Sequence, residues 1–164
     1  MLSQVTPIWK THARPCPVLV LGLGNILLRD EGVGVRVVEA MEQMDLPSEV
    51  EVFDGATAGL DLLEVLADRR KVIVIDAIDG DCEPGTVLRL TPEDLVPQAA
   101  GGVSLHEIGL VEVLRAATRL GVAPQEVVIL GVQPRDVTYG LELSLALAGL
   151  LPKIIDFVLA ELEA

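Results

Sequence analysis

Three residues of this chain have side chains that metal ions prefer, and each lies near the start or end of an apolar or helical segment. Glu31 lies in GNILLRDEGVGV, Asp76 lies near the end of KVIVIDAI, and His106 lies in SLHE. Two carboxylates and one imidazole form a three-ligand set that leaves positions open on a bound ion. Such donors suit zinc, nickel, cobalt or iron, and spacing alone does not choose among them. The neighbouring Asp30 is expected to contribute no more than a helix cap.

A dinucleotide site is the first alternative at the acidic stretch. Gly22 and Gly24 supply the first two glycines of a GxGxxG pattern, and Asp54 stands in the place of an acid that binds a ribose. The third glycine position holds Leu27, however, and an acidic pair that includes Glu31 repels phosphate. The stretch therefore favours a cation over a nucleotide, and its small residues Gly32 and Gly34 are expected to let a partner's backbone come near.

Known hydrolase motifs do not account for these residues. The sequence has no GxSxG motif, and HExxH fails because Leu110 stands where a second histidine would follow His106. A Cys82–His106 pair would need a thiolate, which the carboxylates of the surrounding turn DGDCEPG oppose. No separate nucleophile is identified from the sequence.

The SLHE stretch has the pattern of a capping box, in which Ser104 caps a helix and Glu107 reaches back to it. His106 then lies in the first helical turn, whose positive end favours the neutral imidazole that a metal needs. Each candidate also has a plain structural interpretation: a packed histidine, a helix-start acid at Glu31 or a turn cap at Asp76. Their joint position in three strand-exit loops favours the metal site.

Strand-like and helix-like segments alternate along the chain, which predicts a three-layer α/β/α sandwich. Its twisted sheet is expected to have five strands and to be mixed, mostly parallel with one antiparallel strand. The predicted strands are Val18–Leu23, Val50–Gly55, Lys71–Ile78, GTVLRL and EVVILGV. GTVLRL follows the third strand after a link too short for a helical crossover, so we expect it to be the antiparallel strand.

Helices are predicted between these strands. The first is expected at about Glu31 to Met44, and a short second helix is expected to be capped by Thr57. The third is the segment VSLHEIGLVEVLRAATRLG, which ends at Gly121, and the last covers about Ser144 to Glu161. TPED has a further capping pattern. In such a sheet, ligands gather beyond the carboxyl ends of the strands. Glu31, Asp54 and Asp76 all follow or end a predicted strand, which indicates one functional edge.

Composition narrows the class of protein. The net charge of −13 argues against nucleic acid, which needs a basic surface. No stretch approaches the roughly 18 uninterrupted apolar residues of a membrane span, so membrane insertion is not expected. Cys16 and Cys82 lack CxxC spacing, and without an export signal they indicate a reducing cytoplasm. Residues 1–15 are interpreted as a loose leader and 16–164 as a single α/β domain.

Five motifs occur in a fixed order: LGLGNILLRDEGVGVRVVEAM, DGATAGLDLL, VIVIDAI, SLHEIGL and LGVQP. Together they resemble the hydrogenase maturation endopeptidases, which process the large subunit of nickel–iron hydrogenases. The resemblance runs from about Val18 to the C-terminus. It implies that Glu31, Asp76 and His106 bind nickel.

The same resemblance implies that the DGATAG region lies at the edge that faces the substrate. The residues concerned are Asp54, Gly55, Thr57 and Gly59. Two departures from the family pattern are visible: a longer leader before the first strand, and a shorter segment between GVQP and YGL. The second departure bears on the shape of the substrate groove.

The implied activity is removal of a C-terminal extension from the nickel-loaded large-subunit precursor of a nickel–iron hydrogenase. Nickel, supplied by the precursor, would be the recognition handle, because three protein ligands leave positions for a metal that the substrate's thiolates already hold. A nickel carrier that never cuts and a nucleotide-dependent oxidoreductase are the alternatives. We expect a cytoplasmic monomer whose partner is the precursor.

Overall fold

The structure is a computed structural model that describes residues 16–56, 59–95 and 105–164, with the backbone alone at residues 105–108. The described residues form five strands and four α-helices. The strands are β1 (Val18–Leu23), β2 (Val50–Ala56), β3 (Lys71–Ala77), β4 (Val87–Leu90) and β5 (Glu126–Val132). The helices are α1 (Val33–Met41), α2 (Leu62–Leu66), α3 (Leu105–Arg119) and α4 (Leu145–Glu163). Two 3-10 turns, Arg29–Gly32 and Pro92–Leu95, precede α1 and follow β4.

The five strands form one mixed sheet in the order β2-β1-β3-β5-β4. The pairs β1–β2, β1–β3 and β3–β5 are parallel, and β4 runs antiparallel to β5. The predicted strands and the single antiparallel strand are therefore confirmed. The carboxyl ends of β1, β2, β3 and β5 meet at one edge of the sheet, as parallel strands require.

Alternating side chains of β1 and β3 enter two separate cores, one on each face of the sheet. Leu19, Leu21 and Val74 pack with α2 and α3, whereas Val20 and Ile73 pack with α1 and α4. Each fully buried aliphatic side chain contributes about 1.5–3 kcal/mol relative to exposure. Helices on both faces of the sheet give the predicted three-layer sandwich.

Several predicted boundaries shift in the structure. The first helix begins at Val33, because a 3-10 turn takes up Glu31, and it ends at Met41 before the predicted Met44. The prediction that Thr57 caps α2 is wrong, since that helix begins at Leu62 with residue 61 at its N-cap. Local pattern places an element well and its ends less well, because ends depend on tertiary contacts.

Other capping predictions fare differently. In TPED the Thr91 backbone N–H donates to Asp94 Oδ2 at 2.7 Å, so the predicted capping pattern is present, although it starts a 3-10 turn. Ser144 caps α4, with its side chain accepting from Leu147 N. The predicted leader, residues 1–15, and the predicted cap Ser104 lie outside the described residues.

Within the described ranges, no helix combines the length and hydrophobicity that a membrane span needs.

Candidate functional site

Segments that carry two of the three predicted ligands meet beside Gly24, directly after β1. Gly24 has a φ of +132°, and a Cβ there would lie 1.8 Å from the Glu31 backbone oxygen and 3.6 Å from Asp76 Oδ1. Any other residue at position 24 would collide with the turn that carries Glu31. Glycine is required here because it allows that turn to lie against the end of β3.

The two carboxylates differ in their surroundings. Asp76 is buried, and its Oδ1 accepts a hydrogen bond from the Ala77 backbone N–H at 2.8 Å. Glu31 is half-buried, and its side chain makes no hydrogen bond or ion pair to another residue in the described part of the chain. Among the described residues, the Glu31 carboxylate is therefore not used by a structural contact.

Asp30 does different work from the helix cap expected of it. Its side chain is fully buried, and Oδ2 accepts hydrogen bonds from the backbone N–H groups of Arg135 and Asp136, both at 2.9 Å. Oδ1 accepts from Ser144 N at 2.7 Å, and Oδ2 accepts from Ser144 Oγ at 2.8 Å. Four donors around one carboxylate fasten the turn that carries Glu31 to the segment before α4.

The third predicted ligand, His106, lies by its backbone in the first turn of α3, as predicted. Its side chain is outside the described residues. Among the side chains that the structure describes, no group of three His, Cys, Asp or Glu residues lies close enough to hold a metal ion. The site formed by Glu31, Asp76 and His106 therefore stays a prediction, with segments of its first two members meeting beside Gly24.

The predicted substrate-facing residues lie at the end of β2. Asp54 is exposed, and its Oδ1 accepts a hydrogen bond from Ala56 N at 2.8 Å, which stabilises a backbone φ of +45° at Ala56. Gly55 packs closely on the sheet, since an added Cβ would lie 2.7 Å from a methyl group of Leu23. Gly59 has open space around it. Thr57 is outside the described residues.

A cavity of about 360 Å³ opens beside this strand end. Its lining residues are Phe53, Asp54, Gly55, Ala56, Gly59, Asp61, Leu62 and Val65. The Gly24 backbone N–H donates to the Ala56 oxygen at 2.8 Å, so the cavity adjoins the place where the Glu31 turn meets Asp76. The cavity and the two carboxylates therefore share the carboxyl edge of the sheet.

A second cavity, of about 490 Å³, is larger and lies elsewhere. It opens between the second 3-10 turn, α3 and the segment before β5, with Pro92, Val111 and Pro124 among its walls. This position is at the amino end of the parallel strands, and none of the predicted site residues lines it. Ligands of parallel sheets bind at the carboxyl ends, so we assign the functional site to the smaller cavity.

Gln133 is a site-edge residue that our reading of the sequence missed. It follows β5 directly, is buried, and its Oε1 accepts from Gly80 N at 2.8 Å and Cys82 N at 3.2 Å. Its Nε2 donates to Asp79 Oδ1 at 3.1 Å. The Asp81 backbone N–H and the Gln133 side chain lower the pKa of Asp79. A polar residue at a strand's carboxyl end, within the LGVQP motif, was the available signal.

Gly32 and Gly34 serve the protein's own packing rather than a partner's approach. A Cβ on Gly34 would lie 2.1 Å from the Ile75 backbone oxygen and 2.4 Å from the Leu23 backbone oxygen. A Cβ on Gly32 would lie 3.0 Å from Ile26 Cα. The expectation that these two glycines let a partner's backbone come near is therefore wrong. Gly34 allows α1 to pack closely on the sheet, and Gly32 packs against Ile26.

The arrangement offers oxygen donors to a cation at an acidic sheet edge, beside a cavity large enough for several side chains. Asp79 and Asp81 follow β3 and add further negative charge at the carboxyl end of the sheet. Such an edge attracts cations and repels phosphate. In the described residues, this edge has no serine on a strand-to-helix turn, so no nucleophile is assigned.

Comparison with known proteins identifies the family. Residues 35–161 match the family model described as hydrogenase maturation protease. The hydrogenase 2 maturation protease of Escherichia coli is 40% identical over 148 residues, covering 89% of this chain and 90% of that protein. The hydrogenase expression/formation protein HupD of Rhizobium leguminosarum is 42% identical over 147 residues, covering 87% of this chain and 72% of that protein.

A solved structure agrees with these sequence matches. The hydrogenase maturating endopeptidase HybD of Escherichia coli superposes with a TM-score of 0.81 at 38% identity, covering 89% of this chain and 91% of that chain. This level of similarity supports a shared fold over most of the chain. The chain therefore belongs to the hydrogenase maturation protease family.

Proposed function

We propose that this protein removes the C-terminal extension from the nickel-loaded large-subunit precursor of a nickel–iron hydrogenase. The observation that carries the proposal is the meeting of the Glu31 turn with Asp76 beside Gly24, at an edge that adjoins a cavity. A member of this protease family needs a place for a peptide and a means of telling a finished precursor from an unfinished one. Cavity and carboxylates together supply both.

The donor set fits nickel that the precursor brings as part of the substrate. Glu31, Asp76 and His106 would contribute two oxygen ligands and one nitrogen ligand, leaving positions for thiolates of the precursor. Glu31 suits this role because no structural contact in the described residues uses its carboxylate. Bound nickel can supply Lewis-acid chemistry toward a nearby carbonyl or water. The protein's own residues recognise the loaded precursor and orient its chain.

The cavity at the end of β2 is proposed to receive the chain near the scissile bond. Asp54 and Gly59 line it, and Asp54 also holds the Ala56 turn through a hydrogen bond of 2.8 Å. Exposed backbone at such a strand end is well suited to extended peptide, because its N–H and C=O groups can pair with those of a substrate. Thr57 belongs to the same proposed substrate edge.

We further propose that the protein acts as a monomer in the cytoplasm. Its cysteines, Cys16 and Cys82, are both free, as is usual in a reducing compartment. The partner is the precursor, whose nickel-bearing region must reach Glu31 at the sheet edge.

The test uses the precursor in three states: empty, nickel-loaded and zinc-loaded. The mass of the large subunit is followed after addition of the protein. We expect trimming of the nickel-loaded precursor, none of the empty precursor, and little of the zinc-loaded one, since tetrahedral zinc leaves fewer positions to share. His106→Ala should bind nickel poorly and fail to trim, with its thermal unfolding near wild type.

Two outcomes would overturn the proposal. Rapid trimming of the empty precursor would exclude nickel as the recognition handle and return Glu31, Asp76 and His106 to roles as caps and turns. Tight nickel binding without any change in the mass of the precursor would identify a nickel carrier instead of a protease.

A further inference from the structure

Large apolar side chains are exposed on two segments beside the Glu31 turn. These six residues, which we name the apolar rim, are Ile26, Leu27, Val137, Tyr139, Leu141 and Leu145. Tyr139 is 86% exposed and Leu145 is 93% exposed. The other exposed large apolar side chains in the described residues are Met44, Leu60, Leu120 and Phe157, which lie far apart in the sequence. Single exposed apolar residues are common, whereas a cluster of them marks a contact surface.

The two segments of the apolar rim are joined by hydrogen bonds. Gly140 N donates to the Leu27 oxygen at 2.9 Å, and Arg29 N donates to the Gly140 oxygen at 3.0 Å. A bridge between Leu28 and Gly140 makes the two segments a short parallel pair. These bonds hold the segment that carries Ile26 and Leu27 beside the segment that carries Tyr139 and Leu141.

Hydrogen bonds hold the two segments of the apolar rim in place. The buried Asp30 carboxylate accepts hydrogen bonds from backbone N–H groups of Arg135, Asp136 and Ser144, so it ties both segments together from beneath. Arg36 also donates to the Leu141 backbone oxygen at 2.7 Å. A surface that is already ordered loses little conformational entropy on binding, which favours recognition.

Charged groups border the apolar rim. Arg29 and Asp136 form an ion pair at 3.6 Å between their side chains, and Arg135 and Glu142 are exposed next to it. An apolar centre with a polar border is the usual anatomy of a protein–protein contact, and a tyrosine near its centre often contributes strongly.

We infer that the apolar rim docks the folded body of the large-subunit precursor, outside the peptide that is cut. The inference rests on the proposed function, because that function requires the precursor's nickel to reach Glu31. Glu31 lies four residues after Leu27, in the turn that Asp30 fastens to the rim. Any protein surface that surrounds the nickel must then face the rim, and an apolar surface is the kind that matches it.

The test compares two double variants, each of which replaces one leucine and one aromatic residue by glutamine. Tyr139→Gln with Leu145→Gln alters the rim, whereas Leu120→Gln with Phe157→Gln alters two exposed apolar residues away from it. With nickel-loaded precursor, we expect the rim variant to raise KM and the Kd for the precursor about tenfold or more, with kcat little changed. The control variant should match the wild type, and both should keep wild-type thermal unfolding and nickel binding.

Equal KM and Kd values for the two double variants would overturn the inference. So would a wild-type dimer, seen by size-exclusion chromatography with light scattering, that the rim variant dissociates, because the occupant would then be a second copy of this chain. The two proposals fail separately. If the wild type binds the precursor through the rim but never trims it, the proposed function falls and the docking surface stands.

Discussion

Asp30 and Glu31 are neighbours in sequence with opposite environments. Asp30 is fully buried and accepts four hydrogen bonds, whereas Glu31 is half-buried with no such partner in the described residues. A buried carboxylate with every donor satisfied is a structural anchor, because removing its charge leaves donors facing no acceptor. A carboxylate without structural contacts is available to a ligand. Asp30 is thus the structural acid of the pair, and Glu31 is the one proposed as a ligand.

Substitution of each acid by its amide should separate the two roles. Asp30→Asn turns an NH2 group toward backbone N–H donors, so we expect the free energy of unfolding to fall by about 1–3 kcal/mol. Glu31→Gln should leave that free energy near wild type and abolish trimming of nickel-loaded precursor. Urea unfolding and the trimming rate, measured on both variants, check this. A stable Asp30→Asn protein with no activity would show that Asp30 is the ligand.

At the scale of elements, α1 packs closely on the sheet because its contact residue Gly34 has no side chain. Gly34 lies against the backbone oxygens of Leu23 and Ile75, the residues that end β1 and precede Asp76. A Cβ added to Gly22 would in turn lie 2.3 Å from the Gly34 backbone oxygen. This close contact sets the position of the turn before α1, and with it the position of Glu31.

A matched pair of glycine substitutions tests this packing. In Gly34→Ala the new methyl group would lie 2.1 Å from a backbone oxygen, so we expect the free energy of unfolding to fall by about 3 kcal/mol. Gly149→Ala, in α4 with no atom within 4 Å of its added Cβ, should raise it by about 0.5–1 kcal/mol. Thermal and urea unfolding measure both. A Gly34→Ala protein as stable as the wild type would disprove the packing constraint.

At the scale of the whole molecule, an ion network closes the amino edge of the sheet, opposite the site. Lys71 at the start of β3 is buried, and its Nζ donates to the Glu161 backbone oxygen at 2.8 Å. Arg89 in β4 pairs with the Glu161 carboxylate, whose side chain is 12% exposed. The hydrogen bond from Arg89 is the largest cause that lowers the pKa of Glu161, with Lys71 adding to it. The network joins the end of α4 to two strands.

The lowered pKa of Glu161 makes part of the stability depend on pH. The carboxylate binds protons less readily in the folded protein than in the unfolded chain, so its contribution is present above its ordinary pKa of 4.5. That contribution is lost as the pH falls through the lowered value. We expect Glu161→Gln to lower the free energy of unfolding at pH 7 and to flatten its decline below about pH 4.5. Exposed Glu163→Gln is the control, and identical pH profiles for the two variants would contradict the network's role.

Much of the fold was predictable because its signals are local. Apolar runs located β1, β3 and β5, and the short link before Val87–Leu90 correctly indicated an antiparallel strand. The residue types that suit a metal, at Glu31, Asp76 and His106, were visible for the same reason. Element ends were less predictable, as the start of α1 at Val33 and of α2 at Leu62 shows.

The sequence by itself determined the element types, the class of fold and the motifs of the family, because each is carried by local patterns of residues. The acids of the sheet edge could be predicted because each one follows or ends a predicted strand. Only the tertiary structure decided the strand order, the role of Gly34 and the burial of Asp30. The hydrogen bonds from Ser144 to Asp30 join residues 114 positions apart, and no local pattern records such a contact. Long-range packing therefore determines that Asp30 supports the structure, whereas the adjacent Glu31 stays available to a ligand.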